Sequence, residues 1–152
     1  MSKIKVIFAG LCLLPLLTFA KPVSFNHQGV QKGRIFESCY KTPCSVAKIL
    51  EFKRLNYTKD SAMLELTVLG GTKASEKKIP VWNKKPHKIY VTCSLVSPSI
   101  TINGQVTKIP LNKDISVPGI LISDAEIYLQ ACHNHIGDID SAVQKYRYDV
   151  QD

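Results

Sequence analysis

The sequence predicts an α+β fold: an antiparallel β-sheet of about five strands with one or two C-terminal helices, stapled by disulfides. Three observations carry this. Residues 46–55, 62–69 and 88–95 are apolar-rich with the period-two alternation of a half-buried strand. The pair Asn103-Gly104 sits between two short apolar runs, and both residues suit the positive φ of a type I′ hairpin turn. After Ser123 the period changes. Ile127, Leu129, Ala131 and Cys132 follow at helical spacing behind Asp124 and Glu126, acids that the positive end of a helix dipole favours.

Taken in order, residues 1–20 read as a secretory signal peptide. Lys3 and Lys5 form its basic start, an apolar run follows, and Thr18-Phe19-Ala20 supplies the small-x-small cleavage pattern. The run is short for a membrane span of roughly 20 residues and no second one follows, so the expected mature chain, 21–152, carries no transmembrane anchor and forms one periplasmic or secreted domain. Residues 21–33 are polar and aperiodic, an N-terminal arm. The strands 46–55 and 62–69 are joined through the polar stretch 56–61, and Gly70-Gly71 is expected to end the second. Residues 72–88 are the most polar and basic of the chain, a loop or an edge strand blunted by proline and lysine. Strands 99–102 and 105–111 flank the Asn103-Gly104 turn, and 112–119 is loop. Ser123 is the expected N-cap of the helix, which should stop near 134–137. Residues 138–146 fit a second short helix capped by Asp138 or Asp140, while 146–150 would equally suit a last strand.

Removing the signal peptide leaves 18 basic and 12 acidic residues, a formal charge of +6, and four of the five cysteines. An even count in an exported domain reads as two disulfides. Cys39 with Cys44 and Cys93 with Cys132 is the preferred pairing, with crossed pairings open. The basic balance favours an acidic partner.

Catalytic motifs are scarce. There is no G-x-S-x-G elbow, no S-x-x-K, no H-E-x-x-H and no glycine-rich phosphate loop, and the carboxylates Glu37, Glu51, Glu65, Glu76, Asp114 and Glu126 are scattered. His133 and His135 with Asp138 and Asp140 offer the ligand types of a zinc site, the basis of an alternative reading as a metal-dependent module or enzyme. Residues two apart on a helix point to nearly opposite sides, however, and histidines at a helix C-terminus meet its last carbonyls without any metal. The expectation is a protein without cofactor or catalytic set. Nucleic acid is not expected as a partner either, since only Arg34, Arg54 and Arg147 are present and no aromatics line a basic groove.

The remaining feature is a basic segment with Lys77, Lys78, Lys84, Lys85 and Lys88 around Trp82, the single tryptophan. Tryptophan is a frequent interface anchor and lysines accelerate encounter with an acidic surface, so these residues are the expected partner-binding set. In size, export signal, paired cysteines and lack of a catalytic set, the chain is similar to small exported bacterial proteins that inhibit envelope-degrading enzymes, periplasmic lysozyme inhibitors among them, and to immunity proteins that neutralise secreted toxins. The S-G-x-x-Y signature of one lysozyme-inhibitor family is absent. That similarity implies a binding protein acting on an acidic toxin or envelope hydrolase; an accessory subunit of an envelope complex is a further alternative.

Overall fold

The computed structural model describes residues 24–74 and 79–150; residues 1–20, read above as a signal peptide, lie outside them. Among the described residues the element order is β1 (Ile35–Ser38), β2 (Cys44–Tyr57), β3 (Ser61–Lys73), β4 (Val81–Trp82), β5 (His87–Ser94), β6 (Ser99–Ile102), β7 (Gln105–Lys108), α1 (Ile122–His133) and α2 (Ile139–Tyr146). All strand pairings are antiparallel, in the order β1-β2-β3-β5-β6-β7, with β4 joined to β3 beyond the start of β5. This is the α+β fold the sequence predicts, with two strands too short to leave a period, β1 and β4. No helix among the described residues is long and apolar enough to cross a membrane.

Alternation decides which side of the sheet the helix covers. Ala62, Leu64, Leu66 and Val68 of β3 are buried, as are Ile89, Val91 and Cys93 of β5 and Ile100 of β6. Against them α1 lays Ala125, Tyr128, Leu129 and Cys132, spaced three and four apart. Each large apolar side chain so enclosed contributes about 1.5–3 kcal/mol. Among the described residues no helix covers the other side of the sheet. That side shows a row running from Lys53 through Glu65, Tyr90 and Thr101 in register to the exposed, apolar Val106. The N-terminal arm, described from Ser24, packs against α1: Phe25 and Val30 are buried, Asn26 N–H donates to Cys132 O (2.8 Å), and Gly29 lies so close to α1 that a Cβ there would come 2.7 Å from Gln130 O.

Asn103 (φ 52°) and Gly104 (φ 79°) form the expected two-residue turn. Both disulfides are the preferred ones, Cys39–Cys44 and Cys93–Cys132. The second helix is capped by Asp138, whose Oδ2 accepts from Ser141 N–H (2.7 Å). Three local expectations fail. Gly70-Gly71 does not end β3, which runs on to Lys73; with no Cβ, Gly71 lets β4 approach, and a Cβ there would sit 2.5 Å from Val81 O. Ser123 is not an N-cap: the 3₁₀ turn Gly119–Leu121 feeds directly into α1, and the Ser123 hydroxyl turns to Ser38 Oγ (3.0 Å). The strand 105–111 stops at Lys108 because Pro110 has no N–H to offer, although Ile109 and Leu111 remain buried. Of 146–150 only one bridge, Asn112 to Asp149, is strand-like.

Candidate binding surface

Strand direction sorts the loops into two ends. At one end Ser38, Ser45, Thr72 and Val81 are register partners across β1 to β4, and the N-terminus of α1 reaches them through the Ser38–Ser123 hydrogen bond. Three connections converge there: the Cys39–Cys44 loop, the segment between β3 and β5, and the turn before α1.

Between the sheet and α1 these loops leave a cleft of about 220 Å³, walled by Phe36, Ala47 and Ile127 and opened by Gly70, with Asn83 and His87 at its side. Ser38, Ser45 and Ser123 also line an adjoining cleft of about 130 Å³ formed with Tyr40, Lys41, Gly119 and Ile120, so the two are continuous. Small side chains make the space: larger ones at Ser38, Ser45, Ala47, Gly70 and Ser123 would fill it. Apolar groups stand in solvent around it. Val81 is 68% exposed and Ile120 85%, with Tyr40 and Ile79 also exposed. A Cβ at Gly119 would sit 2.5 Å from Tyr40 Oη, so that glycine gives the tyrosine ring room to lie against the turn. Among the described residues Lys41 is the single lysine, arginine or carboxylate lining either cleft, and Lys84 and Lys85 are exposed on the connection between Asn83 and His87.

The sequence-predicted partner set is divided by the fold. Trp82 is half-buried, its ring closing over Gly71 on the helix-free side, where the neighbouring Val46 is buried. Lys84 and Lys85 belong to the loop end; Lys88 does not. It lies on the helix-free face of β5 and pairs with Glu65 (3.0 Å), a hydrogen bond that holds the carboxyl below and the ammonium above their ordinary pKa. Lys77 and Lys78 lie outside the described residues. The tyrosine and isoleucines that flank the cleft were missed because single exposed apolar residues carry no period; Gly70-Gly71 was the one local signal of close approach.

The opposite end holds the Cys93–Cys132 disulfide and a chain of buried hydroxyls. Tyr128 Oη donates to Ser94 O (3.0 Å) and accepts from Ser94 N–H (3.1 Å) and from Tyr148 Oη (2.7 Å). With its proton given to Tyr128, Tyr148 accepts from His133 Nε2 (2.7 Å), which fixes His133 as the Nε2–H tautomer. His133 stacks on Tyr146 at 3.8 Å and is 4% exposed; burial holds its pKa down at about 3 and pushes Tyr128 up to about 12 and Tyr148 further. Burial lowers His27 as well.

The fold does not gather the four metal-ligand candidates into one cluster. His133 spends its Nε2 on Tyr148, His135 Nε2 bonds the backbone oxygen of Asp138 (3.1 Å), and the Asp138 carboxylate caps α2. No three of His133, His135, Asp138 and Asp140 bring ligand atoms within 4.8 Å of one another; the grouping that does, Glu37 with Cys39 and Cys44, has its sulfurs joined in a disulfide. A broad depression of about 630 Å³ over His133, His135, Lys145 and Tyr146 therefore has a neutral, already bonded imidazole as its buried titratable group.

Comparison with protein-family models, curated proteins and solved structures finds no match to this chain. The functional reading rests on the molecule's own geometry.

Proposed function

We propose that the chain is an exported bacterial binding protein of the inhibitor or immunity type, which neutralises an acidic toxin or cell-envelope hydrolase through the loop end of its sheet. The observation that supports this is the conjunction there of an apolar cleft, exposed Tyr40, Val81 and Ile120, and the positive charge of Lys41, Lys84 and Lys85, with no carboxylate among the described residues that line the cleft. A contact surface needs apolar anchors that exclude water, and a basic rim that steers an acidic partner onto them. Enzymes acting on cell-wall glycans carry catalytic carboxylates, which lysines at such a rim would pair. Two disulfides suit the oxidising compartment this role requires.

The test is capture of secreted and envelope proteins on the immobilised chain, followed by assay of the captured protein's own activity. The wild-type chain should inhibit it stoichiometrically. Lys84→Glu with Lys85→Glu should slow association roughly tenfold at low salt. Val81→Ser should speed dissociation while shifting stability by less than about 0.5 kcal/mol, as expected for an exposed position. A captured enzyme that stays active in the complex, or binding unchanged in all these variants, would refute the assignment.

A further inference from the structure

The second half of β2 has strand geometry but, among the described residues, a neighbour on one side only. On the β1 side the pairing covers Ser45 to Lys48, and Gly33 N–H to Ile49 O (2.7 Å) with Ile49 N–H to Arg34 O (2.8 Å) carries it to Ile49. From Glu51 to Tyr57 no described strand lies there, and all seven residues are exposed, Phe52 at 42% and Tyr57 at 54%. An edge strand presents a row of backbone donors and acceptors, and a long one with apolar side chains is a template for another strand.

The side chains state which strand fits. Bulges at Ile49/Glu51 and Arg54/Asn56 bracket a regular run, 51–54. Within it Glu51 and Lys53 face the helix-free side, in register with Thr67 and Glu65, while Phe52 and Arg54 face the helix side, in register with Leu66 and Leu64. We propose that this edge pairs antiparallel with the same edge of a second copy, about a two-fold axis at Phe52. In that register Glu51 stands opposite Lys53 of the second copy, twice over, and the two Phe52 side chains meet at the axis. Axes at Glu51, Lys53 or Arg54 would put like charges face to face, so within the run 51–54 charge selects the one register. A lone lysine on an edge repels another edge. Here the glutamate two residues earlier on the same face turns that repulsion into a match, and it continues an alternation already present across the sheet, where Lys53 faces Glu65 and Glu51 stands across Thr67 from Lys88.

Sedimentation equilibrium of the intact protein tests this. The average mass should rise from monomer towards dimer as concentration goes from about 10 µM to about 1 mM, the range of a short edge pairing. Lys53→Glu and Glu51→Lys should each weaken association roughly tenfold, and the double swap Glu51→Lys with Lys53→Glu should restore it, because cross-strand charge pairs act through register. Amide exchange in residues 51–54 should slow with concentration in the wild-type protein, a readout that needs no variant. Monomer mass at about 1 mM, association indifferent to the single changes, failure of the double swap to restore it, or protection of 51–54 that is already complete in dilute monomer would each overturn the pairing.

Discussion

The two disulfides of this protein sit at opposite ends of one sheet and keep different company. Cys93–Cys132 spans 39 residues, is fully buried, and stands beside the hydroxyl chain that links α1, β5 and the C-terminal Tyr148. Cys39–Cys44 spans five, keeps Cys39 in solvent, and shapes a loop at the rim of an open cleft. One end is built from a chain of hydrogen-bonded buried polar groups, in which His133 Nδ1 has no partner among the described residues, and one from small side chains and exposed apolar ones. The contrast separates the end that holds the fold from the end proposed to meet a partner.

The largest effect should distinguish the bridges. On the chain-entropy account, removing Cys93–Cys132 with paired alanines should cost about 4 kcal/mol and removing Cys39–Cys44 about 2, since the longer loop constrains the unfolded chain more. Urea melts of the two double variants measure the difference; equal losses would erase the distinction. Next comes Tyr148→Phe. It takes the hydroxyl from between His133 Nε2 and Tyr128 Oη and should destabilise by about 2–3 kcal/mol, because a buried N–H then loses its acceptor. The same variant should leave any partner bound at the loop end with unchanged affinity. A smaller effect comes from pH. His133 binds its proton far less readily when folded, near pH 3, than in the unfolded chain, near 6.5. Its contribution is therefore complete above pH 6.5 and drains away as the pH falls towards 3, at about 1.4 kcal/mol per unit, so near pH 5 about 2 kcal/mol should be gone. Melts across pH 7.5 to 5 give the slope, and a flat profile would mean that His133 is protonated without penalty.

How much of this was legible differs between the ends. The sheet was readable where burial is one-sided, because Ala62, Leu64, Leu66 and Val68 alternate with polar neighbours. Asn103-Gly104 was readable because its backbone angles are a property of those two residues. Asp138 was recognisable as a cap for the same local reason. His133 was not. Beside His135, Asp138 and Asp140 it looked like a ligand set, and only the packing of α2 and the chain just after it brings Tyr146 and Tyr148 onto it. The proposed binding surface was half legible: Lys84 and Lys85 showed in the charge run, whereas the cleft behind them is made from six separate segments.

By itself the sequence determined the fold class and the hairpin turn, since these follow from the periods and φ preferences of neighbouring residues, while it left the cysteine pairing open between the preferred and the crossed connectivities. Tertiary structure alone decided that His133 is a buried neutral donor, that Ser123 lines a cleft instead of capping a helix, and that Gly70-Gly71 continues a strand. Each of these depends on which distant atoms arrive next to a side chain, and local propensity holds no record of that.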